Sequence, residues 1–214
     1  MTRRYGIVVD MQYCLGCGVC VVACKQENDL PPHTNDKPGT TGIAWNRVIS
    51  VTDGVYPELT NQFFHIHCMH CENPPCVSAC PENAINQQEN GIVLIASGKC
   101  NACKDQSDGV KKCIPACPYA AIHFNAEKGV VQACTLCAQR VQSGLEPACV
   151  RACIGKALIF GDFNDPTSKT SKAIKEAGDR VFILKPEKKT GPSVKYIRPD
   201  GVDLNKLAGL QVIK

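Results

Sequence analysis

Sixteen cysteines fall into four groups of four, with none left over. The first group is Cys14, Cys17, Cys20 and Cys24, spaced C-x2-C-x2-C-x3-C. The second is Cys68, Cys71, Cys76 and Cys80, spaced C-x2-C-x4-C-x3-C. The third, Cys100, Cys103, Cys113 and Cys117, is C-x2-C-x9-C-x3-C, and the fourth, Cys134, Cys137, Cys149 and Cys153, is C-x2-C-x11-C-x3-C. Every group opens with C-x2-C and closes with C-x3-C. A cubane iron–sulfur cluster needs one thiolate on each of four irons. The C-x2-C pair wraps one edge through a tight turn, the third cysteine takes the next iron, and the fourth, one helical turn on, points away to a neighbouring cluster.

Other uses of cysteine fit this pattern less well. Eight disulfides suit a short secreted scaffold, and four strained C-x2-C bridges would be an odd way to build one. Structural zinc is normally held by two C-x2-C pairs set a dozen or more residues apart. The fourth group alone resembles that, but the first packs its cysteines into 11 residues. The expectation is four [4Fe–4S] clusters arranged as two pairs.

Proline marks the pairing. Pro81 follows Cys80 and Pro118 follows Cys117, whereas Lys25 follows Cys24 and Ile154 follows Cys153. Cys80-Pro81-Glu82-Asn83-Ala84-Ile85 also repeats as Cys117-Pro118-Tyr119-Ala120-Ala121-Ile122, so inner pairs with inner and outer with outer. With the fourth ligand exchanged within each pair, four sets follow. They are Cys14, Cys17, Cys20 with Cys153; Cys134, Cys137, Cys149 with Cys24; Cys68, Cys71, Cys76 with Cys117; and Cys100, Cys103, Cys113 with Cys80.

Composition sets the limits around this framework. At 44% hydrophobic and 21% charged residues, the chain as a whole is globular rather than disordered. No uncharged stretch reaches 15 residues, too short for a membrane span, which needs roughly 20. Aromatic residues are only 6%, so metal is expected to supply much of what a large aromatic core would. The net charge of +4 assumes neutral thiols, so it says little about nucleic acid, which is not an expected partner. Arg3 and Arg4 precede only three apolar residues before Asp10, too few for a signal peptide.

Local patterning predicts strands over 7–9, 45–51, 63–67, 158–160, 181–184 and 194–197. It predicts helices over 19–28, 136–142, 148–153 and 166–177, the last with Asp165 as cap. A hairpin is expected within 121–132, a Pro- and Gly-rich loop over 29–44, and an exposed Lys-rich loop over 185–191. His65, His67 and His70 flank Cys68 and Cys71; with sixteen thiolates in place they are expected to pack beside the clusters and tune potential rather than ligate. Trp45 reads as packing, and Lys99, Lys104, Lys111 and Lys112 as a solvated face. There is no Gly-rich phosphate loop, no Ser–His–Asp pattern and no catalytic carboxylate pair.

The chain resembles the four-cluster iron–sulfur subunits of the dimethyl sulfoxide reductase family of molybdenum or tungsten enzymes. The matching stretches are Cys14-Leu15-Gly16-Cys17-Gly18-Val19-Cys20-Val21-Val22-Ala23-Cys24-Lys25, Trp45-Asn46-Arg47-Val48, Cys68-Met69-His70-Cys71 and Pro74-Pro75-Cys76. Further matches are Ala116-Cys117-Pro118-Tyr119, Phe160-Gly161-Asp162, Asp165-Pro166 and, more weakly, Gly191-Pro192-Ser193-Val194-Lys195-Tyr196. The nine residues between Cys103 and Cys113 depart from the two that many relatives carry, which implies a larger loop beside an intact cubane.

The expected fold is α+β, with two ferredoxin-like modules related by a pseudo-twofold. Residues 1–30 and 120–160 form the outer pair and 60–120 the inner pair, with an insertion over 31–59 and a C-terminal extension over 161–214. The resemblance implies single-electron relay, with no turnover by this chain alone, between a large molybdopterin catalytic subunit and a membrane quinone-linked subunit or soluble carrier. The molybdopterin would sit on the partner. The complex would be cytoplasmic, or exported to the periplasmic face on the partner's signal. The alternatives are a free-standing polyferredoxin and the small subunit of a non-respiratory molybdopterin enzyme such as an aromatic hydroxyl transferase.

Overall fold

The computed structural model describes residues 2–31, 43–104 and 109–202. Most of the 29–44 loop, and part of the loop between Cys103 and Cys113, lie outside these residues.

The first strand, β1 (Tyr5–Asp10), contains the Ile7-Val8-Val9 run and is buried through its centre. It sits inside a four-stranded sheet with β8 (Leu158–Asp162), β9 (Val181–Phe182) and β10 (Val194–Ile197), ordered β8-β1-β10-β9. β1 runs parallel to β10, with Ile7 opposite Val194, and antiparallel to β8, with Val9 opposite Leu158. A strand covered on both faces needs a continuous apolar run rather than alternation, which is why the short Ile-Val-Val segment is enough.

The two faces meet different partners. Val8 packs with Ala177 and Ile197 beneath α6 (Lys169–Ala177). Ile7, Val9, Val194 and Tyr196 face the main core with Phe64, Ile66, Met69 and Tyr119. At Gly6 a Cβ would lie 2.1 Å from the Ser193 carbonyl oxygen, so β1 approaches the segment entering β10 more closely than any side chain allows.

α6 starts later than the sequence predicts. Ser168, not Asp165, is its N-cap, accepting from the Ser171 N–H. Asp165 instead accepts from the N–H and hydroxyl of Thr167, a local turn that delays the helix.

β2 (Asn46–Val55) and β3 (Glu58–His67) form an antiparallel hairpin longer than expected, with register from Asn46 opposite His67 to Val55 opposite Glu58. Its base is buried and its tip exposed, so the hairpin outruns the apolar signal at its base. It also spans the expected boundary at 59/60, just as β8 spans the one at 160/161.

The remaining elements are short. α1 (Val19–Glu27) carries Cys20 and Cys24. α2 (Pro75–Ser78), α3 (Cys113–Ala116) and α5 (Ala148–Ala152) are single turns holding third cysteines. The hairpins β4 (Ile85–Gln87) with β5 (Val93–Ile95), and β6 (His123–Asn125) with β7 (Val130–Gln132), follow Cys80 and Cys117. α4 (Ala138–Gln142) is tied to α1 by Arg140 and Glu27, 3.0 Å apart. Among the described residues, no helix is long and apolar enough to cross a membrane.

Candidate metal centres

Each C-x2-C turn is built the same way. The residue before the second cysteine is left-handed in all four: Gly16 at φ +67°, His70 at +42°, Ala102 at +54° and Leu136 at +52°. This conformation turns both thiols to one side and aims successive N–H groups into the concavity, as in anion-binding nests. In the first turn only glycine fits, because a Cβ on Gly16 would meet the Phe63 ring at 2.4 Å.

The fourth cysteines repeat a second device. Asn83, Ala120 and Lys156, each three residues beyond Cys80, Cys117 and Cys153, are left-handed at φ +48°, +49° and +55°. Their N–H groups donate to the carbonyls of those cysteines at 3.3, 3.2 and 3.3 Å. The fourth group thus shares the backbone of the inner groups despite lacking their proline. The first group differs: α1 runs on past Cys24, and Lys25 Nζ then donates to the Pro31 and Ile43 carbonyls.

The thiols gather across groups. Cys14 lies within electrostatic reach of Cys17 and Cys153, and Cys20 of Cys14, Cys17 and Cys153. Cys24 faces Cys137; Cys134 faces Cys24 and Cys149; Cys149 faces Cys137 and Cys24. Cys68 and Cys76 each face Cys71 and Cys117, and Cys113 faces Cys80, Cys100 and Cys103. One cavity is lined by Cys68, Cys71, Cys76 and Cys117, among apolar neighbours including Ile85 and Ile122. A second is lined by Cys80, Cys100, Cys103 and Cys113.

Neighbouring sets lie within electrostatic reach of one another in turn. Cys20 reaches Cys24 and Cys149, Cys134 reaches Cys68, and Cys76 reaches Cys113. The four sets therefore follow one another as successive electrostatic neighbours.

Burial, with repulsion between adjacent thiolates, pushes Cys20, Cys24 and Cys76 up to about 12 and Cys113 up to about 11. Without a cation these four thiols would stay protonated. Four convergent sulfurs in an apolar wall are the donor set that iron–sulfur cubanes require. Orphaned donors support the fit: Trp45 Nε1, His70 Nε2 and Thr135 Oγ1 are buried beside these thiols and have no partner among the described residues.

Donors to sulfur are already in place. Backbone N–H groups of Ala84, Val131 and Leu136 donate to Cys80, Cys100 and Cys134 Sγ at 3.4, 3.5 and 3.3 Å. Asn28 Nδ2 donates to Cys24 Sγ at 3.7 Å, and the Thr190 hydroxyl hydrogen-bonds Cys71. Asn28 was findable as the residue one helical turn past Cys24. Nothing in the sequence marks Thr190, which arrives from the Lys-rich segment. That segment is exposed at 186–189 but anchored at its ends by buried Thr190 and by Lys185, which donates to the Pro118 carbonyl.

Trp45 is buried against Cys24, Leu30, Ile43 and Cys134, as packing would have it. His65, His67 and His70 are each 1% exposed. A ring nitrogen of His67, one of His70 and Cys134 Sγ all lie within 4.8 Å of one another. Lys111 stacks over Phe124 at 4.4 Å.

Fold and thiol sets together define a multi-cluster iron–sulfur protein of the electron-transfer class. Comparisons with known proteins narrow it. A family model described as a 4Fe-4S dicluster domain matches residues 59–163. A subunit of the tetrathionate reductase of Salmonella typhimurium is 36% identical over 97% of this chain and 77% of its own length. The arsenate respiratory reductase iron–sulfur subunit ArrB of Shewanella sp. is 35% identical over 93% of this chain and 98% of its own. Thiosulfate reductase electron transfer subunit PhsB of Salmonella typhi is 33% identical over 94% and 95%. The chain belongs to the iron–sulfur, electron-transfer subunits of the dimethyl sulfoxide reductase family, the non-catalytic components of those oxidoreductases.

Proposed function

We propose that this chain relays single electrons along four [4Fe–4S] clusters, between a molybdopterin-bearing catalytic subunit and a membrane quinone-linked subunit or soluble carrier. The observation that carries this reading is the succession of thiol sets, each within electrostatic reach of the next. The proposed ligands are Cys14, Cys17, Cys20 and Cys153; then Cys24, Cys134, Cys137 and Cys149; then Cys68, Cys71, Cys76 and Cys117; then Cys80, Cys100, Cys103 and Cys113. When bound, each cluster supplies a one-electron couple.

The protein's own residues hold the sulfurs in place, exclude water from the two middle sets and direct N–H groups at thiolates. The exchanged fourth cysteines and the repeated left-handed residues support two ferredoxin-like modules, an outer pair from 1–30 and 120–160 and an inner pair from 60–120. The end set opens to solvent at exposed Cys17, in segments that also expose Tyr13, Leu15, Val22 and Ile154. Apolar side chains beside a terminal donor set suit a docked protein partner.

The test is metal analysis of the native complex purified anaerobically. About 16 irons per copy of this chain, four for each thiol set, with molybdenum or tungsten on a co-purifying large subunit, is the expected result. Zinc in place of iron would overturn the reading.

A further inference from the structure

We propose that His70, in the second cysteine group, serves a cluster of the other pair: its Nε2–H donates to Cys134 Sγ when that thiolate is bound, raising the reduction potential there. This inference rests on the ligand sets proposed above.

The protonation of each ring follows from its partners. The Val93 N–H donates to His70 Nδ1 at 3.0 Å, so Nδ1 carries no proton and the ring's hydrogen is on Nε2. His67 Nδ1 lies 2.7 Å from the Cys68 carbonyl oxygen, which can only accept, so in the neutral ring His67 Nε2 is bare. Both Nε2 atoms are buried and have no partner among the described residues.

Of the two rings grouped with Cys134, only His70 can donate. Its possible acceptors are the bare nitrogen of His67 and the sulfur of Cys134; one ring nitrogen of each histidine and that sulfur lie within 4.8 Å of one another. A thiolate is charged and a neutral ring nitrogen is not, so the sulfur is the stronger acceptor. Hydrogen bonds to cluster sulfur favour the reduced, more negative state and raise the potential. His67, held by the Cys68 carbonyl, lies with its ring centroid 6.5 Å from that of His70. A mononuclear metal on the same three groups would have to take Cys134 from Cys24, Cys137 and Cys149.

The experiment is an EPR-monitored redox titration of the assembled complex, wild type against His70→Phe, with metal counted in both. Expected are unchanged iron and a lower midpoint for one signal only, the one altered by Cys134→Ser. A fully loaded variant with every midpoint unmoved, or with a different signal moved, would overturn the proposal alone. So would one equivalent of another metal present in wild type and lost in the variant. Wild-type iron far below four clusters would overturn the ligand sets and this proposal with them. Should His70→Phe fail to assemble, pulsed EPR of the wild-type complex carrying 15N-histidine decides. A 15N coupling on that reduced cluster supports the hydrogen bond, and its absence overturns it.

Discussion

Cys68, from the second cysteine group, and Cys134, from the fourth, lie within electrostatic reach of one another, and Cys68 packs against the same small core that holds Trp45 and Cys24. This approach joins the inner sets to the outer ones. With the ligand sets proposed above, the relay would cross between pairs in a buried interior, shielded from the solvent that would otherwise quench the field between charges.

Cys153→Ser is expected to alter the EPR signal of the set built on Cys14, Cys17 and Cys20, its electrostatic neighbours. The signal of the Cys134, Cys137 and Cys149 set should persist. The reverse pattern would show that the fourth ligands are not exchanged.

Thr190→Val removes a hydroxyl that hydrogen-bonds Cys71 and lies 2.6 Å from the Tyr119 hydroxyl. The volume is nearly conserved, so the loss is electrostatic. The cluster held with Cys71 should titrate at a lower potential, and stability should fall by about 0.5–1.5 kcal/mol, because the Tyr119 hydroxyl loses one partner but still donates to the Leu184 carbonyl. An unchanged midpoint would remove Thr190 from the tuning groups.

Gly16→Ala and Ala120→Gly should have opposite signs. The first places a Cβ in the left-handed region at about 1–2 kcal/mol and against the Phe63 ring, which adds about 1–3 kcal/mol of overpacking. The second relieves an exposed alanine at φ +49°, for a net gain of up to about 1 kcal/mol after the entropy of glycine. Melting of the iron-loaded proteins checks both; equal shifts in one direction would contradict the turn geometry.

Iron removal should abolish cooperative unfolding. α2 and α3 have four residues each and β4 to β7 three each, below what holds helices or hairpins together unaided. Chelation is expected to erase the near-UV circular dichroism and the sharp transition together. A chelated chain that kept a sharp transition would show that side-chain packing suffices.

The cysteine spacing pointed to the thiols that the structure brings within electrostatic reach of one another, because ligand chemistry imposes fixed offsets. β1 was legible as an apolar run and β10 as a short segment rich in strand-forming residues. Their parallel pairing was not, since nothing local in Ile7-Val8-Val9 names a partner nearly two hundred residues away. The outer half of the β2–β3 hairpin was missed because its exposed face carries polar residues such as Thr60 and Asn61. Asp165 drew the helix start forward because its side chain satisfies a turn instead. The shared backbone of Asn83, Ala120 and Lys156 was hidden in three different side chains adopting one uncommon conformation.

The placement of β1 between β8 and β10 has a consequence for biosynthesis. On the ribosome the inner thiol sets are complete once Cys117 has emerged, but the outer ones wait for Cys153, and β1 stays without its parallel neighbour until residues 194–197 follow. Sheet closure is thus the last event in a vectorial order. A nascent chain stalled before β10 would leave the β10-facing edge of β1 unpaired after the last cysteine, Cys153, had been delivered.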